Sequence, residues 1–483
     1  MPQPNQLLRE SSAVSEVAGA PLGDRRRGAR HEDILARLSA QPDASIPDAM
    51  RTEAALEAYY RFMRNDAVDH AAMLEPHFEK TRGRAEAIGR VLVIHDTSEF
   101  GFTVHDEPAR KNLAEPAQGH QCFSWHPALV LAADGTRAPL GLIASRPFAH
   151  KGDLPDEEAR EFWAERDGLF DNEMSRWLEG VEAAEARLED ATRPIHVMDR
   201  ECDDYGLMSR MREADYSFVI RMCYARNVSD GPLRDDYRKL ADALGDEPWE
   251  DDQREVLLSA RPARKTGKNH TPRRARKVRL KARSTTVELR RPKRALSPDA
   301  SGTLAVRVVE VLEVDPPAGA EPVRWVLATT EPVDDAEAIW EVVDHYRARW
   351  TIEEYFKALK TGAAYKELQH KSAKTLLTAL AAKAVVAWNL LRLRHLGRHM
   401  PQMDAEEVLD PVQIAILRQK RPNKLPEDAT AADAMYAVAG MGGHLKRNGP
   451  PGWLVLGRGW EHLAELTEGF RLAQRLAERS DLS

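Results

Sequence analysis

The sequence is poor in cysteine and has no uninterrupted apolar run of membrane-spanning length. Its 483 residues include three cysteines, Cys122, Cys202 and Cys223. They have no CxxC spacing, which excludes a disulfide framework and a zinc ribbon. The longest apolar stretch, residues 376–393, is interrupted by Lys383 and Arg392, and the N-terminus has no basic flank followed by an apolar core. We expect a soluble cytoplasmic protein without a membrane partner.

The chain also lacks a net positive charge, which by itself argues weakly against a nucleic-acid partner. It has 70 Lys and Arg against 77 Asp and Glu, a net charge of −7. The charge is nevertheless segregated, because residues 261–294 hold fifteen Lys and Arg and one acid, Glu288. Such asymmetry is expected of a protein that confines phosphate contacts to particular faces. The alternative is a solvated basic loop.

Residue composition and hydrophobic periodicity along the sequence predict four regions. Residues 1–20 are polar and aperiodic and are expected to be disordered. Residues 21–85 predict a helical module with Arg25, Arg26, Arg27 and Arg30 near its start, either a plain helical subdomain or a DNA-binding domain. Residues 86–400 alternate strands and helices, with a β-rich insertion at about 225–330, and residues 401–483 are helical. The predicted fold class is therefore α/β, or α+β overall.

Two predicted strands each end in an aspartate. Asp96 follows the apolar run at 91–95, and Asp199 follows the run at 195–198. Strand ends hold side chains rigidly, and two carboxylates brought together either share a proton or bind a divalent cation. The alternative is that both aspartates N-cap the helices that follow.

A third acid lies in a predicted helix from residue 336 to about 360. At 100° per residue, Tyr346, Arg349, Glu353, Lys357 and Lys360 fall on one stripe. A solvated face with i,i+4 ion pairs would have this composition. So would a site in which one acid holds Mg²⁺ and the cations bind phosphates on both sides of a scissile bond.

The spacing of Tyr346, Arg349, Glu353 and Lys360 resembles the signature of the bacterial DDE cut-and-paste transposases of the insertion-sequence-four family. The blocks His95-Asp96-Thr97-Ser98 and Met198-Asp199-Arg200-Glu201 resemble its two aspartate blocks. Residues 22–30, 60–65, 353–362 and 442–460 look like the transposon-five-type branch. The resemblance extends from about residue 20 to 475 and is thinnest across 225–300.

This resemblance implies an RNase H-like catalytic core with a mixed sheet, in which Asp96, Asp199 and Glu353 bind two Mg²⁺ ions, with Mn²⁺ as a substitute. Oxygen ligands suit such hard cations. The implied reaction binds transposon ends, cuts both strands through a hairpin intermediate and joins the 3′ ends to target DNA. It also implies double-stranded DNA, both transposon ends and target, as the partner, and a homodimeric synaptic complex that uses the C-terminal domain.

The resemblance further implies DNA contacts at particular positions. Tyr346, Arg349 and Lys360 would hold phosphates near the hairpin, with Lys357 nearby. Arg200 and Arg221 would contact the backbone at the transposon end. Trp325 would stack a flipped base, unless it is simply a core residue of its strand. Two further interpretations remain open, a domesticated or inhibitory DNA-binding protein of the same fold and a metal-dependent nuclease without strand transfer.

Overall fold

A computed structural model describes residues 8, 13–103, 109–170, 173–188, 192–231, 236–258, 274–292, 302–420, 424–445, 447 and 449–480. The chain divides into two compact units. The first joins Met1–Arg193 with Trp350–Ser483, and the second is Pro194–Arg349.

The first unit begins with helices. After a 3-10 turn at Ser15–Val17 come α1 (Arg25–Ala40), α2 (Ile46–Met50), α3 (Glu53–Arg64) and α4 (His70–Ile88). The side chains of Asp24, Ser45, Thr52 and Asp69 cap these four helices in turn by accepting backbone N–H groups. Each helix start is therefore encoded locally by a residue that favours the N-cap position.

The sheet of the first unit is arranged around one long strand. Its strands are β1 (Arg90–His95), β2 (Ser98–Thr103), β3 (Ala114–Ala117), β4 (His120–Ala132), β5 (Pro139–His150) and β6 (Leu169–Phe170). Strand β4 pairs antiparallel with β1, β2, β3 and β5, and β6 joins β5 in parallel. A single helix is predicted over 156–189, but α5 (Glu157–Ala164) and α6 (Glu173–Leu188) are separate because β6 lies between them.

The second unit is built mainly from strands. Strands β7 (Arg193–Met198) and β8 (Ser217–Arg221) are parallel and enclose α7 (Tyr205–Glu213) in sequence. Antiparallel strands follow: β9 (Asn227–Ser229), β10 (Tyr237–Lys239), β11 (Arg254–Leu258), β12 (Arg276–Arg290), β13 (Thr303–Val314) and β14 (Arg324–Thr329), with α8 (Leu240–Asp246) between β10 and β11. Strand β14 pairs with β8, and α9 (Ala336–Ala348) ends this unit.

The rest of the first unit is helical. It contains α10 (Trp350–Lys357), a π-helical turn at Ala358–Gly362, α11 (Ala373–His399), α12 (Pro411–Gln419), α13 (Ala431–Met441) and α14 (Trp453–Ser480). The π turn packs closely on α14, because a Cβ added to Gly457 would lie 2.8 Å from the Gly362 carbonyl oxygen. Glycine is therefore needed at position 457 for this approach.

Helix α11 is a buried core helix. It is long and apolar enough to cross a membrane, but its apolar window is 100% buried within the protein. Its two interrupting cations are satisfied by main chain of the N-terminal region, since Lys383 Nζ donates to Pro42 O at 2.8 Å and Arg392 donates to Leu8 O. Burial lowers the pKa of Lys383 to about 8.

Residues 13–20 differ from the expected disorder, because Glu16 is completely buried there. Its carboxylate accepts bonds from Arg84 at 2.8 and 2.9 Å and from His77 Nδ1 at 2.6 Å. His77 Nε2 accepts the Leu142 N–H, so the imidazole is neutral and donates through Nδ1. Burial opposes ionisation of Glu16, but the bonds from His77 and Arg84 outweigh it and lower its pKa.

We predict that Glu16→Ala lowers the free energy of unfolding by about 3–5 kcal/mol, because it leaves the Arg84 charge buried without its acid. Urea denaturation at pH 7 measures this. The control, Glu79→Ala, removes an exposed ion pair with Arg82 on α4 and should cost less than about 1 kcal/mol. Equal effects of the two substitutions would contradict the interpretation.

Candidate active site

Asp96 lies at a break in the pairing along one edge of β4. Strand β1 ends with His95 opposite Ala128, and β2 begins with Ser98 opposite Trp125. The two residues between, Asp96 and Thr97, are outside both ladders. Thr97 Oγ1 bonds to His126 Nδ1 at 2.9 Å, and the Thr97 N–H donates to Asp96 Oδ1 at 2.8 Å. The half-buried carboxylate of Asp96 is therefore held by strand pairing on either side.

Glu353 is positioned by the same strand. It lies in the first turn of α10, half-buried. The neighbouring aromatic residues of this helix pack on Trp125 of β4, with ring centroids at 6.0 Å for Tyr355 and 6.1 Å for Phe356. Tyr355 also donates to the Ala384 carbonyl of α11 at 3.0 Å. The next acid, Glu354, instead pairs with Arg394 of α11 at 3.3 Å.

Lys360 joins the π turn to β2. Its Nζ donates to Ser98 Oγ at 2.5 Å and to the Glu99 carbonyl at 3.1 Å, and lies 5.0 Å from the centre of the Phe100 ring. Burial, with a smaller contribution from Lys366, lowers the pKa of Lys360 to about 8, against the opposing effect of Glu99 and Asp96. The amine is thus within electrostatic range of Asp96, two residues from the Ser98 it contacts.

The residues expected to share one helical face, from Tyr346 to Lys360, do not lie on a single regular α-helix. The helix from 336 to about 360 is divided into α9 and α10 at Arg349, and it then widens into the π turn. A constant 100° per residue therefore does not describe the angles between these side chains. Lys357 is exposed and lies 5.1 Å from the Trp350 ring. Arg349, half-buried, follows the last residue of α9.

In the second unit, Asp199 follows β7 and caps a 3-10 turn, Arg200–Cys202, by accepting the Glu201 N–H at 2.8 Å. The N-cap alternative thus describes one of its contacts correctly. For Asp96 the same alternative fails, because a strand follows it.

Asp203, which the sequence analysis missed, fixes the loop beside Arg200. Its buried carboxylate accepts the N–H groups of Cys223 and Tyr224 at 2.6 and 2.7 Å and pairs with Arg226. This ties the segment after β7 to the segment after β8. Only the acids at positions 201, 203 and 204 indicated such a role, and local spacing does not distinguish this anchor from Asp204, which caps α7.

Trp325 and Tyr346 contact each other in the second unit. Their ring centroids lie 5.5 Å apart in an edge-on arrangement. Tyr346 is buried, whereas Trp325 in β14 is half-buried, so Trp325 is not a fully enclosed core residue. Arg221 is half-buried opposite Leu327, two residues along β14 from Trp325, which places both side chains on one face of the sheet. Arg200 is exposed.

The four N-terminal arginines lie in the first turns of α1. Arg25 and Arg26 are exposed, Arg27 donates to the Leu22 carbonyl, and Arg30 pairs with Asp33 at 3.1 Å. Cations at a helix N-terminus oppose the helix dipole. Such a cluster costs less when an anion is bound there.

Part of the basic run pairs with acids where the structure describes it. Residues 261–273 and 293–294 lie outside the described residues, and much of the rest forms β12. Four of its cations pair with acids on neighbouring segments: Arg276 with Glu313, Lys277 with Glu255, Arg279 with Asp315 and Arg283 with Glu310. These four pairs partly neutralise the positive charge of the strand.

The donor chemistry at the three acids suits a hard divalent cation. Asp96, Asp199 and Glu353 all offer carboxylate oxygens, the ligands that Mg²⁺ and Mn²⁺ prefer. Their capping and turn contacts occupy Oδ1 of Asp96 and of Asp199. The contact of Asp199 is a hydrogen bond from a main-chain N–H group. Asp199 could therefore bind a metal ion without losing a buried salt bridge.

Three protein-family profiles match the chain. Transposase DNA-binding matches residues 9–68, Transposase DDE domain matches residues 174–390, and Transposase Tn5 dimerisation domain matches residues 385–480. Asp199 and Glu353 lie inside the second match, whereas Asp96 lies outside all three. A solved piggyBac transposase synaptic complex with hairpin DNA aligns with 82% of this chain and 75% of that chain, at 8% identity and a TM-score of 0.33.

The family matches define a DNA-binding DDE transposase, a metal-dependent nuclease and strand transferase with a dimerisation domain. The chain belongs to the Tn5-type transposases of the insertion-sequence-four family. The predicted fold class, an α/β protein with an RNase H-like core and helical domains at both ends, is confirmed.

We predict a measurable consequence of the lowered pKa of Lys360. Because the unfolded amine titrates near 10.5, the folded protein binds fewer protons than the unfolded chain between about pH 8 and 10.5. Stability contributed by this group should therefore rise with pH across that window. Comparing urea denaturation of the unaltered protein and Lys360→Met isolates the effect from that of Lys383. An identical pH slope in the two proteins would contradict it.

Proposed function

We propose that this transposase binds the ends of its transposon, cuts both strands through a hairpin intermediate and joins the 3′ ends to target DNA, with Asp96, Asp199 and Glu353 as ligands of two Mg²⁺ ions. The observation that carries the proposal is the shared anchoring on β4. The ladder break at Asp96 and the aromatic packing of the Glu353 helix both depend on Trp125 and its neighbours. Mn²⁺ is the expected substitute.

The acids would serve chemistry rather than docking. When bound, two such ions would activate the attacking oxygen and stabilise the negative charge that develops on the leaving oxygen of an in-line displacement at phosphorus. Asp96 and Glu353 supply carboxylates on rigid elements of one unit, and Asp199 supplies one from a capped strand end in the other. Rigid support matters because misplaced ligands lose rate steeply.

The cations would hold the scissile strand. Lys360, fixed by Ser98 and the Glu99 carbonyl, presents a partly desolvated ammonium that would bind a phosphate strongly. The family resemblance implies further phosphate contacts by Arg349, Lys357, Arg200 and Arg221. Tyr346 would contribute its hydroxyl. Trp325 would stack a base flipped out of the hairpin, a role supported by its half-exposed ring braced against Tyr346.

The N-terminal helix would recognise the transposon end. Exposed Arg25 and Arg26, with Arg27 and Arg30, gather positive charge at the start of α1, where main-chain N–H groups also favour phosphate. The working form would be a homodimer assembled on two DNA ends through the C-terminal domain. It would act in the bacterial cytoplasm, at the nucleoid.

We predict that Glu353→Gln abolishes excision of a plasmid-borne transposon carrying the gene's own flanking ends, while end binding in a gel-shift assay stays within about threefold. The metal ligand is lost but the helix is retained. The matched control is Glu354→Gln, one residue along α10, whose partner is Arg394; it should retain excision.

Asp96→Asn and Asp199→Asn should behave like Glu353→Gln. Loss of end binding in all three variants would count against a metal-binding role. Absent excision even from the unaltered protein, with retained end binding, would instead favour a domesticated or inhibitory protein. Cutting that ignores end sequence would favour a nuclease without strand transfer.

We predict that Trp325→Ala slows hairpin formation by about tenfold or more while leaving the first nick nearly unchanged, because base stacking contributes about 1–3 kcal/mol. Denaturing gels of end-labelled DNA separate the two steps. The control, Trp249→Ala, removes a tryptophan of the same unit that contacts Lys281 and Arg283. Equal slowing of both steps by Trp325→Ala would favour a purely structural role.

A further inference from the structure

Three side chains of different metal-binding chemistry meet on one face of the first sheet. Strand pairing sets Gly101 opposite Cys122 and Thr103 opposite His120. Since side chains alternate along strands, Glu99 of β2 and His120 and Cys122 of β4 share this face. One ligand atom from each, a carboxylate oxygen, an imidazole nitrogen and the thiol sulfur, lie within 4.8 Å of one another.

Gly101, which has no side chain, leaves space for the His120 imidazole. A Cβ added to Gly101 would lie 2.5 Å from His120 Cε1, so the imidazole lies directly over the strand at this point. His120 Nε2 is 3.3 Å from Glu99 Oε1. A side chain at position 101 would therefore require the imidazole to move.

Cys122 is buried, and two carboxylates lie near its thiol. Burial first, and then the carboxylates of Glu99 and Asp153, raise the pKa of the Cys122 thiol to about 12. Asp153, in the 3-10 turn Lys151–Asp153, adds a further carboxylate on this side.

We propose that Glu99, His120 and Cys122 form a site for a zinc-class transition-metal ion, separate from the three catalytic acids. Sulfur, nitrogen and oxygen ligands together suit Zn²⁺, whereas Mg²⁺ does not bind thiolate appreciably. Three protein ligands leave one position for water or for Asp153. Binding displaces the thiol proton, so one proton is released for each ion bound at neutral pH.

The ion would tie β2 to β4 next to the anchor of Lys360. The Glu99 carbonyl, on the residue whose side chain binds the metal, accepts a hydrogen bond from Lys360 Nζ. Occupancy would therefore stiffen the strand segment on which that lysine depends. This effect does not require the proposed reaction, because the ligands differ from Asp96, Asp199 and Glu353.

The test is Co²⁺ titration of the reduced full-length protein in excess Mg²⁺, which occupies sites built from oxygen ligands alone. We expect one equivalent of Co²⁺ to produce a thiolate-to-cobalt charge-transfer absorption band, which one equivalent of Zn²⁺ then removes. Cys122→Ser should abolish the band, and the control Cys223→Ser, which replaces the exposed cysteine, should retain it.

Two further variants keep the test decisive if Cys122→Ser folds poorly. Glu99→Gln changes an exposed side chain, and His120→Asn changes a partly exposed one. Each should weaken Co²⁺ binding by more than about tenfold, with an unchanged circular dichroism spectrum. No charge-transfer band in the unaltered protein, or a band that survives all three substitutions, would overturn the proposal. Loss of excision in the catalytic variants leaves this result unaffected, so the two proposals fail independently.

Discussion

The geometry of the first unit depends on the pairing of β4 with two successive strands along one edge. Strand β1 pairs with residues 128–132 of β4, and β2 pairs with residues 120–125. The two-residue gap between them holds Asp96 and Thr97. Because a register slip of one residue would turn every side chain to the opposite face, the same hydrogen bonds that build the sheet also aim this carboxylate.

Trp125 of β4 extends this control to the helical part of the unit. Its indole N–H donates to Ser145 Oγ at 2.8 Å, and its ring supports the aromatic side of α10. Glu353 projects from the first turn of that helix, and Lys360 returns from the following π turn to Ser98, the residue paired with Trp125. A π turn is often found at functional sites, and here it carries the lysine to β2.

Much of the fold and part of the candidate site could be predicted from the sequence. The remaining features depend on contacts between distant residues, which local patterns do not reveal. The strand-end positions of Asp96 and Asp199 could be predicted because buried strands are continuous apolar runs whose ends are visible in the sequence. The prediction of one regular helix from residue 336 to about 360 was wrong. The break at Arg349 and the π turn arise from packing rather than from periodicity. The ion pairs of β12 could not be predicted, because its partners, such as Glu310 and Glu313, come from another strand. Asp203 was missed because its contacts are with residues twenty positions away.

Our main proposal is that Asp96, Asp199 and Glu353 bind metal at one site. Its most direct test is to replace Mg²⁺ with Fe²⁺ in the end-bound protein and generate hydroxyl radicals with ascorbate and peroxide, then map polypeptide cleavage. We expect cleavage near all three acids, and its loss at all three in Glu353→Gln. Cleavage near Asp199 that persists in Glu353→Gln, or that is absent from the other two positions, would contradict a shared site.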